Sequence, residues 1–193
     1  MRKLLACAVS ASIVVCWVAI AVPSAGATGP CFGVADSHTA TSSFDPETGV
    51  TTIKGTSGND VIVGTNGANL IYGLGGEDKL CGGNDADHVI GGPGNDMIEG
   101  GNAADNLWGG PDNDLIRGGN ESDHVVGDNG QDVLEGENGG DNILGGSAND
   151  TLYGGNGSDK LDGDNAAPAF GYGAEDFCDG GSGPSTFVNC ELP

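Results

Sequence analysis

Gly91-Gly92-Pro93-Gly94-Asn95-Asp96-Met97-Ile98-Glu99 runs directly into Gly100-Gly101-Asn102-Ala103-Ala104-Asp105-Asn106-Leu107-Trp108. The two nonapeptides share glycine at positions one and two, aspartate at position six and an aliphatic residue at position eight. Extended in both directions, this frame divides residues 55–162 without a gap into twelve units of nine. Glycine opens every unit. The sixth residue is Asp60, Asp78, Asp87, Asp96, Asp105, Asp114, Asp123, Asp132, Asp141, Asp150 or Asp159, with Asn69 in the second unit as the exception. The eighth is Val, Ile or Leu throughout, from Ile62 to Leu161. A fixed short period means a solenoid, in which each unit buries its apolar residue only by stacking on its neighbours.

The units resemble the RTX-type, or hemolysin-type, calcium-binding repeat G-G-x-G-x-D-x-U-x. The resemblance implies an all-β fold, a parallel β-roll of the right-handed parallel β-helix type. Each unit would give a turn from positions one to six and a strand from seven to nine. Two units would make one coil, so twelve units make about six coils.

The same residues can be read for their chemistry. Glycine in the turns permits positive φ and lets carbonyl oxygens curl inward. Alternate units share an edge, stacked about 4.8 Å apart as neighbouring strands are. The odd edge then carries Asp60, Asp78, Asp96, Asp114, Asp132 and Asp150, and the even edge Asn69, Asp87, Asp105, Asp123, Asp141 and Asp159. Carboxylates repeated at that spacing repel one another strongly without cations between them. Calcium takes six to eight oxygens, from carboxylates and carbonyls alike. Six turns per edge leave five gaps, so about ten sites can form, and about six to nine are expected to fill because ligand charge and turn geometry are not uniform. Asn69 removes a charge from the first even-edge gap, and Ala103 and Ala148 stand where the fourth-position glycine would be.

The flanks read as caps and a leader. Arg2 and Lys3 precede a run from Leu4 to Val22 without a charged residue, and Ala25-Gly26-Ala27 offers small residues to a signal peptidase. Residues 1–27 are therefore expected to be removed and the mature chain secreted to the extracellular side. That chain would carry four basic residues against 28 acidic ones, a charge of −24, which turns it away from nucleic acid and anionic membranes. Residues 28–54 form an N-terminal cap, with Ile53 in register nine residues before Ile62. Residues 163–193 form a C-terminal cap of degenerate repeats, interrupted by an insertion from Ala166 to Gly173. Four cysteines remain in the mature chain and allow three pairings; closeness in sequence favours Cys178 with Cys190, which leaves Cys31 for Cys81. His88 and His124 lie too far apart on their face to share a zinc ion.

No GxSxG, HExxH or nucleophile–base pair is present, and the segments outside the repeats are short, so no enzyme activity is expected. The reading is a calcium-binding module with a structural or adhesive role outside the cell. One alternative is a non-catalytic module serving a secreted enzyme in trans. Another is an ice-binding roll, suggested by asparagine at the third position of every even unit. A contact face is expected where Tyr72, Ile90, Trp108, Val126 and Leu144 fill the outward ninth position of even units, a stripe roughly 19 Å long for self-association or for an extracellular protein partner.

Overall fold

The computed structural model describes residues 40–164 and 176–190, and every regular element among them is a strand. The aliphatic and β-branched residues at positions seven to nine suit a pleated surface. Even units pair only with even units and odd with odd. One sheet contains Thr51–Lys54, Asn69–Tyr72, His88–Ile90, Asn106–Pro111, His124–Asn129, Asn142–Ser147, Lys160–Asp164 and Thr186–Val188, all parallel, with Thr41–Phe44 added antiparallel at its start. The other contains Val61–Val63, Lys79–Gly83, Met97–Gly101, Leu115–Asn120, Val133–Gly139, Thr151–Tyr153 and Phe177–Asp179. Partners are 18 residues apart, as in Ile62 with Leu80 and Leu107 with Val125. This is the parallel β-roll, two units to a coil, that the nonapeptide frame predicts.

Across the insertion the step changes from 18 to 26, pairing Lys160 with Thr186 and Thr151 with Phe177. The eight extra residues, 166–173, account for the longer step, and the described strands on either side keep their register. Ile53 pairs with Ile71, continuing the frame backward as expected.

The core is a double column one side chain thick. Ile71, Val89, Leu107, Val125, Ile143 and Leu161 come from one sheet, and Ile62, Leu80, Ile98, Ile116, Leu134 and Leu152 from the other, all between 0% and 2% exposed. Each such side chain contributes about 1.5–3 kcal/mol. Cys178 takes the next rung, and its disulfide to Cys190 ties the last coil together. Cys81 is disulfide-bonded as well; its expected partner, Cys31, lies outside the described residues.

Strands in the central coils run further than positions seven to nine. Leu115–Asn120 and Val133–Gly139 continue through positions two and three of the following unit. Identical turns stacked 18 residues apart go on hydrogen bonding through the bend, as in Gly92 N–H to the Gly109 carbonyl at 2.9 Å.

Candidate metal centres along the two turn edges

The turns explain why glycine opens each unit, and the reason is not positive φ. Left-handed backbone occurs instead at positions two and four, as at Gly92 with φ of 107° and Gly94 with 127°. Leu74, Asp128 and Glu137 adopt it at position two, and Ala103, Asp112, Glu121 and Ala148 at position four, each at the cost of some strain. The first glycine is needed for space. A Cβ on Gly73 would lie 2.3 Å from Oδ2 of Asp78 and 2.6 Å from the carbonyl oxygen of Gly91. At Gly100 the same point meets Asp105 Oδ2 at 2.4 Å and the Gly118 carbonyl at 2.6 Å. A carboxylate oxygen of one turn and a main-chain oxygen of the next thus converge over every first-position glycine from Gly73 to Gly100.

All eleven aspartates assigned from the sequence are buried, between 1% and 3% exposed. Their Oδ1 atoms form two ladders. Oδ1 of Asp96 accepts from the Asp78 main-chain N–H at 2.8 Å, Asp114 from Asp96 at 2.7 Å, and Asp132 from Asp114 at 2.8 Å. On the other edge Asp105 accepts from Asp87, Asp123 from Asp105, and Asp141 from Asp123, at 2.7–2.9 Å. The second oxygen is different. Oδ2 of Asp78, Asp87, Asp96, Asp105, Asp114, Asp123, Asp132 and Asp141 is buried without a hydrogen-bond partner. A buried charged acceptor left so costs several kcal/mol, and native folds avoid it. Here it recurs through four successive coils, and at Asp78, Asp87, Asp96, Asp105, Asp132 and Asp141 it faces a glycine carbonyl. Two oxygen acceptors are bridged by a proton donor or by a cation.

Electrostatics decides by pH: a proton serves below about pH 6 to 8, and a cation is required once these carboxylates ionise. Burial, and after it the neighbouring aspartates on the same edge, push Asp96 up to about 7, and Asp105 and Asp114 up to about 8. Burial likewise raises Asp123 to about 7, and Asp87, Asp132 and Asp141 to about 6. Protein cations do not relieve this: among the described residues the ion pair, Arg117 with Glu135 at 2.9 Å, stands on an outer sheet face. Nor do three His, Cys, Asp or Glu side chains converge anywhere among the described residues, so a bound ion would draw its remaining ligands from main-chain carbonyls and water. That donor set of carboxylate and carbonyl oxygens, without nitrogen or sulfur, fits calcium and not zinc or copper.

One residue of this kind was missed. Asp176 is 1% exposed, and its Oδ1 accepts from the Asp150 N–H at 2.8 Å, which extends the odd edge by one turn. It is the sixth residue of the unit split by the insertion, which the sequence frame places in the C-terminal cap and not among the ligands.

Other features singled out from the sequence are placed as follows. Tyr72, Ile90, Trp108, Val126 and Leu144 share the outer face of one sheet and are half-buried. There Trp108 packs between His88 and His124, with ring centroids 4.4 and 5.9 Å apart, and Lys54 lies over Tyr72. Asn84, Asn102, Asn120, Asn138 and Asn156 each donate a side-chain N–H to the asparagine one coil earlier. The side-chain carbonyls of Asn84, Asn102, Asn120 and Asn138 thus accept from the next asparagine, and that of Asn156 from the Ser182 hydroxyl.

A family model described as RTX calcium-binding nonapeptide repeat (4 copies) matches residues 54–89, 82–116, 99–134, 108–142 and 135–167. No curated protein and no solved structure matches the chain.

Proposed function

The chain belongs to the RTX calcium-binding nonapeptide-repeat family, with Ca2+ as its cation, and from that membership we propose a secreted β-roll completed by calcium ions held between successive turns. Asp78, Asp87, Asp96, Asp105, Asp114, Asp123, Asp132, Asp141 and Asp150 are its proposed ligands, together with Asp176; Asp60 and Asp159, also expected from the sequence, have an Oδ2 that meets a hydroxyl instead. The observation that carries this assignment is the unpartnered Oδ2 set against a glycine carbonyl of the next turn at Asp78, Asp87, Asp96, Asp105, Asp132 and Asp141. Calcium there supplies positive charge and accepts both kinds of oxygen.

The role is structural, or adhesive toward other extracellular components. Two features support this: the leader-like residues 1–27 and the disulfide between Cys178 and Cys190. Bound calcium counted by equilibrium dialysis of the mature protein tests the reading, with about six to nine ions per chain expected. Magnesium at equal concentration should displace few of them, because it prefers to keep several waters. A count of one or none would refute it.

A further inference from the structure

We propose that the first coil is a metal-independent cap, and that the ladder of ions starts one coil later, at Asp78 on the odd edge and Asp87 on the even edge. This rests on the calcium reading above and asks which of the turns take part in it.

Three observations separate the first two units from those that follow. The first is how their sixth-position side chains are satisfied. Oδ2 of Asp60 accepts from both the main-chain N–H of Thr56, at 2.6 Å, and its Oγ1, at 2.9 Å. Asn69 is held in the same way, its Oδ1 accepting from the Thr65 N–H at 3.1 Å and Oγ1 at 2.8 Å. Its Nδ2 then donates to the Gly67 carbonyl at 2.6 Å and to Asp87 Oδ1 at 2.8 Å. A neutral amide thus stands where later coils have an unpartnered carboxylate oxygen, and both of its contacts are hydrogen bonds it donates.

The second observation is the backbone. From Leu74 to Gly155 every second-position residue has positive φ, whereas Thr56 and Thr65 do not. The third is where the second-position N–H points. Leu74 donates to the Gly91 carbonyl of the next coil at 3.0 Å, while Thr56 turns back to its own Asp60. Threonine occupies the second position in these two units only. The opposite end of the even edge is closed by the same chemistry, with the Ser185 hydroxyl 3.3 Å from Asp159 Oδ2 and 3.2 Å from the Gly180 carbonyl. Hydroxyl and amide protons stand at the ends where ions have a turn on one side only.

Calcium bound at saturation, counted by equilibrium dialysis on full-length mature chains and paired with thermal melting, tests the cap. Asp60→Asn should bind as many ions as the wild type and melt at the same temperature in calcium, since Asn69 shows that an amide fits there. Asp114→Asn should lose one or two ions. The double variant Thr65→Gly/Asn69→Asp, which restores the repeat pattern, should gain one. Loss of as many ions in Asp60→Asn as in Asp114→Asn overturns the proposal, and so does a folded double variant with an unchanged count. A wild-type chain that binds no calcium at all overturns the calcium reading itself, and this one with it.

Discussion

Gly109→Ala is expected to destabilise the calcium-loaded protein by about 3 kcal/mol or more, lowering its melting temperature by about 6–12 °C. The added methyl would lie 2.1 Å from Oδ2, 2.8 Å from Cγ and 3.0 Å from Cβ of Asp114. That carboxylate cannot simply rotate away. Its Oδ1 is fixed by the Asp96 N–H at 2.7 Å, and its own N–H by Asp132 at 2.8 Å. Moving Asp114 therefore disturbs the turns on both sides, and the count of bound calcium should fall with the melting point. Gly67→Ala is the matched control, because a Cβ there meets nothing within 4 Å and no left-handed φ is required. Equal melting temperatures and equal calcium counts in the two variants would contradict the tight cradle inferred for the first-position glycine.

The second large effect is a reversal of pH dependence by calcium. In the metal-free roll, burial and like charges raise seven aspartates into the range of about 6 to about 8, whereas an unfolded chain holds them near 3.9. Between those values the folded state binds more protons than the unfolded state. Its stability is therefore greatest at and below about pH 4 and is lost as the pH climbs through about 6 to 8. β-Structure in calcium-free buffer should accordingly be richer at pH 5 than at pH 8. With calcium the slope inverts, because the ion must displace those protons to reach the carboxylates. Affinity should be at least about tenfold weaker at pH 6 than at pH 8, with proton release on binding seen as buffer-dependent heat in calorimetry. Superimposable isotherms at the two pH values would show that these carboxylates are not what the ion meets.

What could be read from the residues alone was whatever repeats within one unit. The period of nine, the inward eighth residue and the aspartate edges each follow from a pattern in a single nonapeptide, and the sheets bear them out down to Ile53. Contacts between residues 18 apart were harder to foresee. First-position glycine looks like a turn residue until the carboxylate above it is placed. Thr56 and Thr65 look like ordinary turn substitutions until their hydroxyls are found on Asp60 and Asn69. The strands of the central coils lengthen because stacked turns bond to one another, which no local propensity reports. Asp176 was obscured by eight inserted residues that the register ignores.

The central claim is that calcium between the turns is part of the fold, and far-ultraviolet circular dichroism of the mature protein at pH 8, followed through a calcium titration and then excess chelator, tests it most directly. The buried aspartates repel one another without the ion, so the expected chelated spectrum is that of a largely unfolded chain. It should convert cooperatively to a β-type spectrum as calcium rises toward about 1 mM, and revert on chelation. A β-type spectrum that persists unchanged in chelator would contradict the account.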